Sequence, residues 1–509
     1  MQCPPSREVS SLLMDRTRPC PEKILHASCR AGIALLFACA GAHATDRQHE
    51  YRVAVDAGLA RLEAEARFAG PQRRLLARSP LAATVLIDAA TCDGRPLRIG
   101  GRRIELPDSS FDCLRYTVDL ARAAREERRN RGLAPGNRIV APSVWLWRPD
   151  LGAETTLRLR FDLPDGLRVA LPWPRDPGNA DAYLLARTPE SADAPAVFGA
   201  FDQHVLEVPG ARLRVSLLRA EPALDSASIL AWLVATATDV TLAYGRFPNP
   251  APQVVVIPVG AARGGKSAVP FGRVARDGGE IVELFVDQRR ALADYLADWT
   301  ATHEFSHLML PYLGSSDRWI SEGFAQYYQN VLLARAGGYQ PLEAWQKIHA
   351  GLERGRQSRP ELSPNAAAAG GKRAALMKVY WSGAALALLA DVELRARTGG
   401  ELSLDVALAG LQSCCLPSSE IWSGPELFRT LDSLLGVPVL LPLYEAHADA
   451  PGFPELDPVF GRLGIDVVDG RVVLRDEAEL AWLRDAITAR NPAATYRDRL
   501  QAGPPDDPP

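Results

Sequence analysis

Single polar residues separate apolar ones along much of the first half of the chain. Leu157, Leu159 and Phe161 are each separated by one arginine, which is the period-two pattern of a strand with one buried face. Pro164-Asp165-Gly166 follows directly and is typical of a tight turn, so the pattern predicts a hairpin there. The alternation predicts a β-rich N-terminal domain over residues 45–222.

Helical spacing of apolar residues predominates from residue 223 to 446. One predicted helix covers Leu292 to Leu310 and ends before Pro311 and Gly314. A second begins after Asp317, which offers an N-cap side chain, and stops at Gly337-Gly338. Strand-like runs around Val254 and Ile281 precede these helices, so this part is predicted to be mainly helical with some strands.

The two ends of the chain carry different signals. Basic residues precede the apolar stretch Ala31 to Ala42, and an A-x-A cleavage signal ends at Ala44, which predicts a signal peptide over residues 1–44 and export to the periplasm or the medium. A second interpretation attaches a lipid at Cys39. Residues 447–500 predict a small C-terminal appendage with a hairpin at Asp469-Gly470 and a helix from Glu477 to Thr488. Residues 501–509 predict a disordered tail.

Composition and charge are those of an ordinary globular protein. Of the 509 residues, 47% are hydrophobic and 23% charged, which allows two or three domains with substantial cores. The net charge of -3 carries no long run of one sign, so neither nucleic acid nor an anionic membrane is an expected partner. No run in the mature chain is long and apolar enough for a membrane helix, and the oligomeric state is left open.

Four cysteines remain once the predicted leader is removed. Cys92 and Cys113 flank a predicted hairpin with Gly100-Gly101 at its turn, so a disulfide between them is expected. Cys414 and Cys415 are adjacent, and the alternatives for them are burial as small apolar side chains or one cross-link of unspecified partners.

The pentapeptide His303-Glu304-Phe305-Ser306-His307 is the strongest chemical signal. Two histidines four apart lie on one face of a helix and can share a metal ion, and the chain holds only eight histidines. Catalytic zinc takes three protein ligands, and Glu322 at the start of the next predicted helix is the third candidate. Glu304 is then the general base.

These motifs resemble those of the gluzincin peptidases, and most closely the glycyl-aminopeptidase family (M61). The resemblance includes Trp319-Ile320-Ser321-Glu322-Gly323, which matches the family's third-ligand helix, and Tyr380-Trp381-Ser382-Gly383, which is similar to the helix with the catalytic tyrosine. It implies an α+β fold in which a β-rich N-terminal domain precedes a thermolysin-like, mainly helical catalytic domain with a small sheet. It also implies one Zn²⁺, a peptide or protein substrate and Tyr380 as oxyanion donor.

The chain departs from this family at the strand that clamps a substrate's free amino group. No clear match to that strand occurs, and Asp277 to Val286 takes its place upstream of the zinc helix. Glu280 or Glu283 could bind an amine, or either could lie on the solvated face of an edge strand. An aminopeptidase, an endopeptidase and a non-catalytic zinc-bearing scaffold that binds peptides therefore remain as hypotheses.

A second motif, Gly260 to Ser267, fits the Walker A pattern of nucleotide-binding proteins. That pattern requires a helix after the loop, because the N–H groups of the helix N-terminus hold the phosphates. Pro270 and Gly272 argue against such a helix. The sequence favours a Gly-rich loop, with nucleotide hydrolysis as the weakest alternative.

Overall fold

The structure is a computed structural model. It describes residues 47–106, 112–127, 136–152, 155–189, 193–260, 266–370 and 375–491, with residues 497 and 500. These residues all belong to the unit Asp46–Pro509. The predicted signal peptide, including Cys39, and the predicted tail lie outside the described residues.

Strands dominate the described part of the N-terminal half, as predicted. The strands are β1 (Arg47–Val55), β2 (Arg61–Arg67), β3 (Arg74–Leu76), β4 (Leu86–Thr91), β5 (Arg98–Gly100), β6 (Arg103–Glu105), β7 (Cys113–Asp119), β8 (Arg138–Val140), β9 (Thr155–Asp162), β10 (Arg168–Ala170), β11 (Arg175–Asp176), β12 (Asn179–Leu185) and β13 (Ala196–Gly199). Short helices α1 (Ala82–Val85), α2 (Leu120–Glu126) and α3 (Pro142–Trp145) lie between them. The sheets have the orders β11-β12-β9-β1-β2-β7-β4, β10-β13-β8 and β3-β6-β5.

The turn predicted at Pro164-Asp165-Gly166 forms, but it does not close a hairpin. The N–H of Leu167 donates to the carbonyl of Pro164 at 3.0 Å, as in a tight turn. The flanking strands enter different sheets, since β9 pairs with β1 and β12 while β10 pairs with β13. The hairpin prediction is therefore wrong, because β9 buries its apolar face in a sheet assembled from distant segments.

The cysteine predictions are resolved by two disulfides. Strands β5 and β6 form the predicted hairpin, and Cys92 is bonded to Cys113 with their Cα atoms 5.5 Å apart. Cys414 is bonded to its neighbour Cys415, so the alternative of burial as two free thiols is wrong.

A fourth sheet lies between the N-terminal strands and the helices. Its strands are β14 (Phe201–Val208), β15 (Ala211–Leu218), β16 (Gln253–Pro258), β17 (Phe271–Arg276) and β18 (Glu280–Val286), in the order β14-β15-β16-β18-β17. Val256 and Leu284 face the helices, whereas Ile257 and Phe285 pack with Val197 of the N-terminal half. The predicted boundary at residue 222 separates β15 from β16, although the two strands pair in parallel within this sheet.

The helical part contains the predicted zinc helix and its neighbours. The helices are α4 (Ser226–Val240), α5 (Leu292–Ala297), α6 (Thr300–Ser306), α7 (Arg318–Arg335), α8 (Pro341–Gln357), α9 (Pro364–Ala369), α10 (Leu376–Thr398), α11 (Leu404–Cys415), α12 (Gly424–Leu435), α13 (Leu440–His447), α14 (Asp457–Leu463) and α15 (Ala481–Thr488). A 3₁₀ turn covers His307–Met309, and the remaining strands are β19 (Tyr312–Leu313), β20 (Ile421–Trp422), β21 (Ile465–Val468) and β22 (Arg471–Leu474). No helix within the described residues combines the length and the apolar character needed to cross a lipid bilayer.

The single helix predicted from Leu292 to Leu310 is interrupted at Asp298. This residue is extended, with φ -83° and ψ 135°. Its carboxylate accepts from the N–H groups of Thr300 and Val269 and from the Ser267 hydroxyl. Asp298 thus starts helix α6 anew and ties it to the loop before β17, an effect that apolar spacing does not reveal.

The C-terminal residues pack into the main core. The hairpin predicted at Asp469-Gly470 forms between β21 and β22, and the helix predicted from Glu477 begins at Ala481. Leu463, Leu483 and other apolar side chains here join the same cluster as the zinc helix.

Candidate active site

The two histidines of the motif converge on Glu322. His303 lies in α6 and His307 begins the 3₁₀ turn, with their rings edge to face and the ring centres 4.8 Å apart. Glu322 lies in the first turns of α7, as predicted. One carboxylate oxygen, Oε2 of Glu322, is 3.6 Å from Nε2 of each histidine.

The hydrogen-bond partners of the two histidines indicate what these three atoms can bind. Nδ1 of His303 lies 3.1 Å from Oε1 of Gln329, and Nδ1 of His307 lies 2.9 Å from Oγ of Ser321. Because an amide oxygen can only accept, Nδ1 of His303 carries the proton and its Nε2 presents a lone pair. Two imidazole nitrogens and a carboxylate oxygen then face one another within 4.8 Å. Such a donor set, with its second nitrogens held in place, fits one zinc ion.

The proposed base, Glu304, is buried against the backbone of strand β17. A Cβ atom added to Gly272 would lie 2.4 Å from Cγ and 3.0 Å from Oε1 of Glu304. Only glycine therefore allows the strand to pass this close to the carboxylate. Gly272 was predicted only as an obstacle to a Walker A helix.

Tyr380 lies on α10 with its ring stacked on that of His303, the ring centres being 5.8 Å apart. Burial raises the pKa of its phenol, and the carboxylates of Glu322 and Glu304 raise it further. A side-chain hydrogen bond links the phenol to Glu322. Tyr380, which was identified through the family resemblance, thus lies at the same site as the three candidate ligands.

A glycine contact brings α7 and α10 together. A Cβ atom on Gly323 would lie 2.2 Å from Cα of Gly383, and one on Gly383 would lie 2.1 Å from the carbonyl oxygen of Trp319. The helices therefore cross backbone to backbone, one residue after Glu322 and three after Tyr380. Both glycines occur in the motifs that carry the family resemblance, and the close crossing gives a physical reason for them.

Neither Glu280 nor Glu283 is available as the predicted amine ligand. Strand β18 lies between β16 and β17, so these residues are not on an edge strand, and both are buried. Glu283 accepts two hydrogen bonds from Arg273, one of them at 2.9 Å from Nη2. Glu280 accepts from Nε of Arg276 at 2.6 Å and from the amide of Asn249. The alternative of a solvated edge-strand face is therefore also wrong.

Arg276 is a site residue that sequence reasoning missed. Its Nη2 donates to the carbonyls of His307 at 2.9 Å and Leu310 at 3.1 Å, at the two ends of the 3₁₀ turn. Glu280 holds the other side of the guanidinium. Arg276 thus fixes the backbone of a candidate metal ligand from a neighbouring strand, a role that depends on sheet register and has no local sequence signal.

The segment that matches the Walker A pattern is followed by a strand and not by the helix that the pattern requires. Residues 261–265 lie outside the described residues, but β17 begins at Phe271 soon after the loop. The helix that would hold phosphates is not formed there, so the nucleotide alternative lacks its structural requirement.

Comparison with known proteins gives similarity in fold alone. No family profile and no curated protein sequence matches this chain. Among solved structures, an aminopeptidase N family protein from Idiomarina loihiensis is 14% identical, with a TM-score of 0.63 over 82% of this chain and 79% of that one. An M1 zinc metallopeptidase from Deinococcus radiodurans is also 14% identical, with a TM-score of 0.49 over 81% of this chain and 94% of that one. The α+β fold, with a β-rich N-terminal part before a mainly helical one, is therefore shared with the aminopeptidase N family protein.

Proposed function

We propose that this protein is an exported zinc-dependent peptidase that hydrolyses peptide bonds with an activated water. The observation that carries the proposal is the convergence of His303, His307 and Glu322 on one point, with Glu304 and Tyr380 beside it. The three ligands would hold the ion. When bound, zinc supplies a Lewis acid that lowers the pKa of a water to about 7 and polarises the scissile carbonyl.

Side chains of the protein would accept and donate the protons of the reaction. Glu304 would accept the proton of the attacking water and pass it to the leaving amine. Tyr380 keeps its proton because its pKa is raised, so its hydroxyl can donate a hydrogen bond to the oxygen on which negative charge develops. Gln329 and Ser321 would hold the two imidazoles in the tautomer that leaves each Nε2 free to bind.

Strand β17 offers a place for the substrate backbone. It is the terminal strand of its sheet, and within the described residues no strand pairs with its outer edge. Phe271 at its start is 55% exposed, and Gly272 touches Glu304. An extended peptide added to this edge would run past the catalytic base, with its specificity set by alternate side chains.

The resemblance to glycyl-aminopeptidases favours removal of N-terminal residues. Endopeptidase action is the second candidate, and a specific observation favours it. Glu280 and Glu283 both form ion pairs with arginines, so neither is available to bind a substrate's free amino group. A scaffold that binds peptides without cleaving them is the third candidate. It would require that Tyr380 has no catalytic role, although its ring stacks on that of His303.

The test is mass spectrometry of products from a mixed peptide library incubated with the zinc-loaded protein, with Glu304→Gln as the blank. Loss of single N-terminal residues would establish an aminopeptidase, and internal cuts an endopeptidase. Cleavage by Glu304→Gln at the wild-type rate would refute the assigned base, and absence of cleavage with zinc bound would refute the peptidase proposal. His303→Ala, which removes one ligand, is expected to lose the metal.

A further inference from the structure

A large cavity in the N-terminal half has a strongly basic lining. Its volume is about 870 Å³, and it lies between the β3-β6-β5 sheet and the residues around Glu420. The arginines in its described lining are Arg78, Arg102, Arg103, Arg148 and Arg187. The same described lining contains two carboxylates, those of Asp150 and Glu420, so positive charge is in excess. None of the proposed catalytic or metal-binding residues contributes to it.

Arg148 is the most buried of these arginines. It is 9% exposed, and among the described residues its side chain makes one weak hydrogen bond, from Nη2 to the hydroxyl of Thr188 at 3.3 Å. Burial, and to a smaller extent the nearby charge of Arg78, lower the pKa of its guanidinium to about 10. A guanidinium offers five donors, so most of those on Arg148 remain available to a ligand in the cavity. Burying an undercompensated cation is costly unless an anion meets it.

Arg78 is held rigidly at the wall. Its guanidinium donates to the carbonyls of Thr188 at 2.6 Å and Pro189 at 2.7 Å. Asp277 is 3.9 Å from it and also lies near the charge of Arg148, so one buried acid faces one buried and one partly exposed cation. Positive charge therefore exceeds negative charge at this wall of the cavity.

Arg103 and Arg187 complete the basic lining from the exposed side. Among the described residues, neither side chain forms an ion pair or hydrogen bond, and both are exposed. Their guanidinium groups can therefore turn towards a ligand without breaking an existing interaction. Exposed cations at the rim and a buried cation at the base are an arrangement that suits a ligand with several anionic groups.

We infer that this cavity binds a small polyanion bearing several carboxylates or phosphates. Arg148 and Arg78 would meet one anionic group inside, and Arg103 and Arg187 would meet another at the rim. The volume is within the range of small-molecule sites. The inference does not depend on the proposed peptidase activity, because it concerns a separate set of residues.

Isothermal titration of the purified full chain with tripolyphosphate and, separately, with tricarballylate at low salt tests the inference. The double variant Arg103→Ser/Arg187→Ser is expected to bind at least about tenfold more weakly, since two charge-assisted contacts are lost. The matched control Arg74→Ser/Arg98→Ser removes two exposed arginines of the same small sheet outside the cavity and should bind like wild type. Preference for one anion identifies phosphate or carboxylate as the ligand group.

If the two double variants bind the anion equally weakly, binding depends on overall charge and the inference is overturned. Absence of binding by the wild-type protein would also overturn it. Arg148→Met provides a second measurement at the base of the cavity, with its folding checked by thermal unfolding. If it is folded and binds like wild type, the buried arginine has no part in binding and the inference fails.

Discussion

Tyr380 reaches the proposed metal ligands through packing between helices, since it lies far from them in the chain. Its ring stacks on His303, and its hydroxyl bonds with Glu322. Residues that position such a site must be fixed themselves, and here Gln329, Ser321 and Arg276 do so for the two histidines. The chemistry of the site therefore depends on single side chains that belong to five separate elements.

Tyr380→Phe should keep zinc but reduce kcat by about 10²–10³, the usual loss when one oxyanion donor is removed. The ring and its stacking on His303 are retained, so the change removes the hydroxyl alone. Steady-state kinetics together with metal analysis checks this. Tyr312→Phe, at a partly exposed tyrosine outside the ligand set, is the control and should leave kcat unchanged. Wild-type turnover in Tyr380→Phe would remove the tyrosine from the mechanism.

Arg276→Ala should weaken zinc binding by about 10-fold or more, because outer-shell partners commonly contribute 10- to 100-fold to metal affinity. The variant frees the carbonyls of His307 and Leu310 and leaves Glu280 without its arginine. Competition with a chelator measures the affinity, and the visible spectrum of the cobalt-substituted protein reports the ligand geometry.

Two further variants separate positioning of His307 from general destabilisation. Arg276→Lys can still donate to one carbonyl and should recover part of the affinity. Arg289→Ala removes a more exposed arginine that is also paired with a carboxylate, that of Asp287, and should not alter the cobalt spectrum. An unchanged chelator competition curve for Arg276→Ala would contradict the positioning role.

Helices α7 and α10 are the elements that assemble the site, and their crossing is set by Gly323 and Gly383. Each glycine meets backbone of the other helix, which cannot move aside as the end of a flexible side chain can. The helices also carry Glu322 and Tyr380 close to the crossing point. A change in helix separation is therefore expected to change the distance between Glu322, the proposed metal ligand, and Tyr380, the proposed oxyanion donor.

Gly383→Ala should lower both the free energy of unfolding and kcat. Overpacking of a close contact costs about 1–3 kcal/mol, and the displaced α10 should carry Tyr380 away from Glu322. Urea denaturation and steady-state kinetics measure the two effects. Gly410→Ala is the matched control, since its Cβ would meet Leu434 at an ordinary 3.5 Å and alanine favours a helix. Full activity in Gly383→Ala would show that the close crossing is not needed for catalysis.

On the scale of the whole molecule, the sheet β14-β15-β16-β18-β17 joins the two halves. One face of this sheet packs on the helices, and the other face packs on strands of the N-terminal half. Glu127 of the N-terminal half accepts the N–H of Ala141 at 2.9 Å, close to the charges of Arg273 and Glu283 on this sheet. Burial raises the pKa of its carboxyl to about 7, an effect that nearby Asp193 increases.

The stability of the protein should therefore contain a contribution from Glu127 that falls as pH rises from about 4.5 to 7. In this window the folded protein keeps a proton that the unfolded chain has released, so raising the pH favours unfolding. The full effect is about 3 kcal/mol, from a pKa difference of about 2.5 at 1.36 kcal/mol per unit.

Urea denaturation at pH 4.5 and pH 7.5 measures this contribution by comparison of variants. Glu127→Gln should be more stable than wild type at pH 7.5 but not at pH 4.5. Glu126→Gln, at the neighbouring residue whose carboxylate forms an exposed pair with Arg122, should follow the wild-type pH dependence. A difference between Glu127→Gln and wild type that is equal at the two pH values would show that the carboxyl does not titrate differently on folding.

Local patterns in the sequence were sufficient for features whose determinants are close in the chain. The four-residue spacing of His303 and His307, the N-terminal placement of Glu322 and the Asp469-Gly470 turn all follow from helix and turn geometry. The break at Asp298 and the false hairpin at residues 164–166 did not, because a side chain and a strand found partners elsewhere in the fold.

By itself, the sequence determined the proposed metal-binding motif, the β-rich and helical halves and the Cys92–Cys113 pairing, since short-range spacing and periodicity encode them. Only the tertiary structure decided that Glu280 and Glu283 serve arginines, that Arg276 holds the backbone of His307, and that Gly272 lies against Glu304. These contacts arise from strand register and from the distance at which helices and sheet pack. Both are set by burial of side chains that are far apart in the chain, so no local pattern can specify them.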